Sequence, residues 1–332
     1  MITGSGDRLH TPKEERVPSN CGGLAESNLI SVVIPAYRSS ESLPVLIEHL
    51  EGVLNQARQD FEIIVVDDSS PDDTWETLKK LKQSRPPLKI IRLLRNGGQD
   101  NALLCGFSLA RGSIVVTMDD DLKNPPEEVP KLIAAIREGY DLAIGAYPSK
   151  QQSGAHNLGG RLVGAVLRRI FHLPAAFQPT SFRAARKVVI ENVLAMSGVF
   201  PCITSMLLSH TSRYINVPVR HGPQRFGRSN YNLKRSLLLA FNLLFSYSPY
   251  PFYLVVALCF GAFAFSLGIL AWVLFSSLAG STTPGWASTI IAISFFNAWI
   301  LLAFLIHGLY LSRMNQHITR SRVSFTIGEL HE

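Results

Sequence analysis

What the chain lacks narrows the field before any motif is read. Four cysteines, Cys21, Cys105, Cys202 and Cys259, are scattered through 332 residues with no CxxC pair, and they read as reduced, incidental thiols of a cytoplasmic protein. Residues 1–28 lack any apolar run and mix Gly, Ser, Pro and charge, which predicts a disordered tail and not a signal peptide. The chain has no basic stripe interleaved with aromatics, so its net charge of +7 is not read as a nucleic-acid footprint. Two stretches lack charge altogether. Residues 251–275 and 286–311 contain no Asp, Glu, Lys or Arg, and each exceeds the roughly 20 residues that cross a bilayer as a helix.

A pair of buried core helices is the bland alternative, but soluble helices rarely stay uncharged for so long. The connector 276–285 is short and uncharged, so the expectation is a hairpin of two transmembrane helices. Ahead of it, residues 232–250 form either a juxtamembrane amphipathic segment on the membrane surface or the first turns of the span. Lys234 and Arg235 precede the first span, Arg313, Arg320 and Arg322 follow the second, and the connector has no basic residue. The positive-inside rule then places the N-terminal domain and the tail 312–332 on the cytoplasmic side of an inner membrane, where basic residues meet anionic lipid.

From residue 29 to about 145, apolar runs at Ile30–Ile34, Phe61–Val66, Leu88–Leu94, Ile114–Met118 and Leu142–Ile144 alternate with amphipathic segments at Glu41–Asn55, Asp72–Lys82, Asn101–Ala110 and Glu127–Glu138. Such a series predicts an α/β domain with a mainly parallel, doubly wound sheet and helices on both faces. Ligands of these sheets bind beyond the carboxyl ends of the strands. The polar residues fall there: Pro35-Ala36-Tyr37, Asp67-Asp68-Ser69-Ser70, Asn96-Gly97-Gly98-Gln99 and Asp119-Asp120-Asp121. Singly, each is an ordinary helix cap or turn. Together on one sheet edge they read as a pocket. In extended backbone Asp119 and Asp121 would share a face, with Asp120 on the other. Two carboxylates on one side suit Mg²⁺ or Mn²⁺, whose remaining positions are filled by water and phosphate oxygens; a solvated turn is the alternative.

The strings SVVIPAYRSSESLP, EIIVVDDSSPDDTW, RNGGQDNALLCGF and ARGSIVVTMDDDLKNPPEEVPKL resemble the catalytic domain of family 2 glycosyltransferases, with the Rossmann-like GT-A fold. Within that family, RFGRSNYNLKR followed by a hydrophobic hairpin is similar to the polyisoprenyl-phosphate glycosyltransferases. These include dolichyl-phosphate mannose synthases and bacterial enzymes that load undecaprenyl phosphate with glucose or 4-deoxy-4-formamido-arabinose. The likeness runs from Leu29 to about Phe325, so the catalytic domain is taken as 29–231.

The resemblance implies an inverting transfer from a UDP-sugar to undecaprenyl phosphate for envelope modification, by a homo-oligomer. It implies that Pro35, Tyr37 and Asp68 hold the nucleoside, and that Asp119 and Asp121 hold the metal bridging the donor diphosphate. It implies that Lys123, Arg225, Ser229 and Tyr231 contact the donor, and that Arg183, with Arg161 and Lys150, holds the acceptor phosphate. Such a phosphate, with a second pKa of about 6, is already an anionic nucleophile, so no strong base is needed. The segment 201–206, where hydroxyl-using relatives often carry a Glu-Asp pair, has no carboxylate. A transferase with a hydroxyl acceptor, or a non-enzymatic subunit that binds nucleotide-sugar, are the rival readings.

Three departures from the family pattern stand out. Asp120 and Lys123 replace the Ala and Gln of the usual Asp-Ala-Asp-Leu-Gln, Arg38-Ser39 replaces an Asn-Glu after Tyr37, and a basic pair expected near Arg161 is missing. An ammonium cannot ligate a cation, so weaker metal affinity with retained activity is expected.

Overall fold

The computed structural model describes residues 28–147, 158–196, 201–220, 222 and 233–248, isolated positions between 250 and 314, and 325–332. Eight strands occur among them: β1 (Ile30–Ala36), β2 (Phe61–Asp67), β3 (Leu88–Leu93), β4 (Ile114–Thr117), β5 (Leu142–Ala146), β6 (Arg183–Arg186), β7 (Tyr214–Pro218) and β8 (Ile327–His331). They form one sheet in the order β7-β5-β6-β4-β1-β2-β3-β8. The central four strands are parallel, as the alternating series predicts. β6 runs against both β4 and β5, and β8 runs against β3.

The central strands are Ile/Val-rich because both of their faces are covered. α1 (Ser42–Gln56), α2 (Thr74–Ser84) and α4 (Val129–Arg137) bury Leu46, Leu50, Leu78 and Leu132 against one face. On the other face α3 (Gln99–Leu109), α6 (Lys187–Ala195) and α7 (Ile203–His210) bury Leu103, Phe107, Ile190 and Met206. α3 approaches β1 so closely that a Cβ on Gly106 would lie 2.3 Å from Val33 Cγ1. This glycine sets the height of α3, and with it the loop that begins the helix. α5 (Leu158–Ile170) packs against α8 (Leu233–Tyr247).

Residues 312–332 were expected as a tail, but 327–331 pair with β3 instead. An unpaired parallel-sheet edge exposes a row of N–H and C=O groups, and β8 satisfies them. The short TIGELH string has too little alternation to announce a strand. The expected tail 1–28 lies outside the described residues apart from Asn28, as does most of the two expected membrane spans. Among the described residues no helix is long and apolar enough to cross a membrane.

At the amino end of the sheet a buried carboxylate joins three strands. Glu62 accepts from Ser31 Oγ at 2.5 Å and from the Arg111 amide at 2.7 Å, and Lys89 Nζ lies 2.8 Å away. Burial works to raise this carboxyl, but Lys89, Ser31 and the Arg111 amide outweigh it and hold the group below its usual range. A depressed folded-state value adds stability above the ordinary carboxylate range and loses it as pH falls through the folded value. Glu62→Gln should therefore cost roughly 2–4 kcal/mol at neutral pH, because Lys89 is left buried and uncompensated. In urea unfolding the gap to wild type should close as pH falls below about 4.

Candidate active site

Each loop at the carboxyl edge of the parallel strands carries one residue in the left-handed region. These are Arg38 (φ 59°) after β1, Ser69 (φ 57°) after β2, Gly98 (φ 88°) after β3 and Leu122 (φ 60°) after β4. Only the glycine takes this conformation without strain, so the other loops must be held by their neighbours. The β1 loop is bound to the β2 loop: the Arg38 amide donates to Ser70 Oγ at 3.0 Å and the Ser39 amide to Thr74 Oγ1 at 2.9 Å. The β3 loop is bound to the same place, because Asp68 accepts the Gly97 and Gly98 amides at 2.7 and 2.8 Å. Burial pushes the Asp68 carboxyl up, against those two N–H bonds. Pro35 is buried in β1, while Tyr37 stands 45% exposed with the Arg38 guanidinium 5.4 Å from its ring.

β4 ends at Thr117, so the aspartate triplet lies beyond the strand, in a turn. Strand alternation does not govern it, yet the three carboxylates still part company. Asp119 accepts from Gln99 Nε2 at 2.6 Å and from Ser181 Oγ at 2.5 Å. Burial raises its carboxyl, helped by the Asp121 charge and opposed by Ser181, Arg183 and Gln99. Asp121 pairs with Lys123, whose Nζ lies 2.6 Å from Oδ2 and whose amide donates to Oδ1 at 3.1 Å. Asp120 turns to the β1 loop, accepting the Tyr37 amide at 3.3 Å and the Ser39 hydroxyl. Burial pushes the Asp120 carboxyl up to about 6, against those two bonds.

β6 places Arg183 opposite Thr117, directly behind the triplet. The residue is 4% exposed and donates to the Ser181 carbonyl at 3.2 Å and to Thr204 Oγ1 at 2.9 Å. Burial lowers its pKa, and the charges of Asp100, Cys202 and Asp119 oppose that. Asp100, at the start of α3, is raised by burial and relieved by Arg183.

Two groups were missed by sequence reasoning. The Tyr147 hydroxyl, just past β5, donates to buried Asn124 at 2.5 Å, and burial with the Asp119 and Asp121 charges raises its pKa. Its position follows from the β5 register, which no motif announces. Glu128, fully buried, pairs with Lys131 at 2.5 Å and Arg220 at 2.6 Å. Together with the Gly222 amide, which donates to the Lys123 carbonyl at 2.7 Å, it docks the chain ahead of the basic string onto the triplet loop.

Arg225, Ser229, Tyr231 and Lys150 lie outside the described residues. Arg161 falls within α5, with its side chain outside them. The described edge therefore gathers Pro35, Tyr37, Asp68, Asp119, Asp121, Lys123 and Arg183, and leaves the other predicted contacts unplaced. Among the described residues no cluster of three or more His, Cys, Asp or Glu side chains could hold a metal ion by itself. Asp119 and Asp121 leave two neighbouring carboxylates here, one of them raised by burial beside the other, a donor type that hard cations favour.

The Ser39–Asp120 contact unites two departures from the family pattern. A Glu in place of Ser39 and an Ala in place of Asp120 would leave one carboxylate at the same junction, supplied from the other loop. Ser39→Glu alone should cost about 1–3 kcal/mol by setting two carboxylates together, and Asp120→Ala about 1–2 kcal/mol by removing the acceptor of the buried Ser39 hydroxyl, while the Tyr37 amide keeps Ser39 Oγ at 3.2 Å. The double variant should recover at least ~1 kcal/mol of their sum in denaturant unfolding; strict additivity would mean the loops are independent.

Comparisons with known proteins bear on the family and the fold. The glycosyl transferase family 2 domain matches residues 31–194. The undecaprenyl-phosphate 4-deoxy-4-formamido-L-arabinose transferase of Pseudomonas fluorescens is 30% identical over 309 residues, covering 90% of this chain and 89% of its own. The protein of the same name from Yersinia pestis is 32% identical over 260 residues, 78% of this chain and 79% of its own. Among solved structures, glucosyl-3-phosphoglycerate synthase from Mycobacterium tuberculosis, in complex with Mn²⁺, UDP and phosphoglyceric acid, superposes with a TM-score of 0.51 at 23% identity, over 65% of this chain and 77% of that one. That likeness speaks to the fold, which is GT-A-like. With relatives at this identity along most of its length, the chain belongs to glycosyl transferase family 2 and is a glycosyltransferase.

Proposed function

We propose that the protein moves a sugar from a UDP-sugar onto undecaprenyl phosphate, with inversion at the anomeric carbon. The observation that carries this reading is the pair Asp119 and Asp121 at the sheet edge, one carboxylate already neutralised by Lys123, with Tyr37 exposed beside them. The relatives' names supply the acceptor class.

In this reading Tyr37 and the Asp68 loop receive the nucleoside, and Asp119 and Asp121 hold Mg²⁺ or Mn²⁺. A cation held by these two carboxylates would supply Lewis-acid stabilisation of the charge that grows on the departing UDP. Lys123 adds a fixed positive charge at the same place, and Arg183 adds another from behind Asp119. The acceptor phosphate arrives ionised, so no residue has to remove a proton from it. The segment 201–206 has none to offer: its only titratable side chain is the Cys202 thiol, which burial raises.

The charge-free stretches 251–275 and 286–311 are proposed as the membrane hairpin, with the catalytic domain and both termini on the cytoplasmic side. Two features support this. α8 buries Leu243 and Ala240 but exposes Leu237, Leu238 and Phe241 just ahead of the first stretch. β8, beyond the second stretch, returns to the same sheet as β1. A return to one sheet supports a segment that enters and leaves the membrane on the same side.

Purified protein given labelled UDP-sugars, Mn²⁺ and undecaprenyl phosphate should form a lipid-linked product only when the lipid phosphate is present. Product in its absence would favour a hydroxyl acceptor, and none with any acceptor would favour a binding subunit. Asp119→Asn and Asp121→Asn should each lower kcat on the order of 10²-fold or more. Lys123→Gln should tighten Mn²⁺ binding in the presence of UDP on the order of tenfold, read directly by titration calorimetry. Equal affinity in the two proteins would show that Lys123 does not compete with the cation.

A further inference from the structure

The last strand of the chain reaches the β2 loop through two side chains. β8 is exposed along all five residues, so it adds little to the core. Its inward connection is at one point. Glu329 Oε2 accepts the indole N–H of Trp75 at 3.2 Å, and the His331 ring lies 5.8 Å from the Trp75 ring. Trp75 sits on the first turn of α2, 2% exposed. Over it, at 6.0 Å from the ring, lies the guanidinium of Arg92, the residue opposite Glu329 in the β3–β8 ladder.

Arg92 points onward to the loop after β2. Its Nε lies 3.4 Å from Asp67 Oδ2, and its Nη2 donates to the Ser70 carbonyl at 3.3 Å. Asp67 accepts the Ser70 amide at 3.0 Å, and Ser70 Oγ accepts the Arg38 amide. The chain of contacts from Glu329 thus ends at Asp67-Asp68-Ser69-Ser70 and at the backbone beside Tyr37. Ser69 is the strained residue of that loop. A strained loop keeps its shape only where its surroundings over-determine it, and Arg92 can do so only while its planar fork is itself fixed. Stacking on Trp75 fixes the fork, and the bond to Glu329 fixes Trp75.

We propose that β8 is a strap that positions the nucleotide loop, with Glu329 as a positioning residue acting through Trp75 and Arg92. The inference rests on the donor site proposed above. It also gives the hydrophobic segment a second attachment: α8 precedes that segment and β8 follows it, so the chain leaving it is fastened beside the donor.

The test uses the full chain in detergent, with UDP and Mn²⁺ as the probe. Glu329→Ala and Trp75→Phe should each weaken UDP binding roughly tenfold, the size of coupling carried by residues that touch no ligand. The donor KM should rise in parallel while kcat stays close to wild type in both variants and Tm stays close in Glu329→Ala, Trp75→Phe also losing some core packing. Glu329→Gln keeps an acceptor oxygen for the indole and should restore most of the affinity. Wild-type affinity in both Glu329→Ala and Trp75→Phe overturns the strap and leaves the donor site standing. A loss of affinity that tracks a fall in Tm, with no recovery in Glu329→Gln, also overturns it, because that is the behaviour of a merely structural strand. Absence of UDP binding in the wild-type protein overturns the donor site and the strap together.

Discussion

The site depends on how a crowd of carboxylates is kept at one sheet edge. Asp67 ends β2 and Asp68 follows it, Asp119, Asp120 and Asp121 follow β4, and Asp100 lies in the first turn of α3. Like charges a few ångströms apart in a partly desolvated cleft repel strongly. The described residues that answer them with positive charge are Arg92 against Asp67, Lys123 against Asp121, and Arg183 between Asp100 and Asp119. The rest is done by neutral donors: glycine amides on Asp68, Gln99 and Ser181 on Asp119, and the Tyr37 amide with Ser39 on Asp120. Six carboxylates thus face three cations. Burial is the main cause that raises Asp67, Asp68, Asp100, Asp119 and Asp120, and neighbouring carboxylates add to it at all of these except Asp100. A divalent cation entering this edge is stabilised by charge that the fold has already gathered.

The same bonds that neutralise the carboxylates also shape the loops. Asp68, Asp119 and Asp120 each take a donor from a different loop or element, whereas Asp121 takes Lys123 from its own, so the four strand ends are cross-linked largely by side chains. This is what allows Arg38, Ser69 and Leu122 to keep left-handed backbone without being glycine. Loops cross-linked this way are held in shape by their neighbours, and a ligand binding among them would cost little further conformational entropy.

The sheet was legible where burial is two-sided. Runs such as ISVVIPA and FEIIVVD are apolar because helices cover both faces, and their ends mark the site. β6 was not legible: RAAR is short, polar at both ends, and becomes a strand only through its neighbours β4 and β5. The placement of Arg183 and Tyr147 depends on that register, so their burial beside the triplet could not be read in advance. The separation of Asp120 from Asp119 and Asp121 was expected from strand alternation, but turn geometry produces it. β8 was hidden for a different reason. Its stability comes from an edge more than two hundred residues away in sequence, and local pattern carries no trace of that pairing.

The departures from the family pattern form one electrostatic adjustment. Asp120 supplies at the β1 junction the carboxylate that Ser39 no longer provides, so that exchange leaves the local charge unchanged. Lys123 in place of a Gln does change it, adding a positive charge within 2.6 Å of Asp121. A neutral Gln would leave both metal-binding carboxylates waiting for a cation, whereas here one of them is satisfied before any cation binds. In the proposed reading, a donor diphosphate would meet positive charge divided between a fixed ammonium and a metal held more weakly because of it. Because Gly222 docks on the Lys123 carbonyl, the chain leading into the basic string at 225–231 is anchored to the residue that makes the difference. A change at position 123 therefore reaches both the floor of the proposed donor site and the chain that leads to residues 225–231.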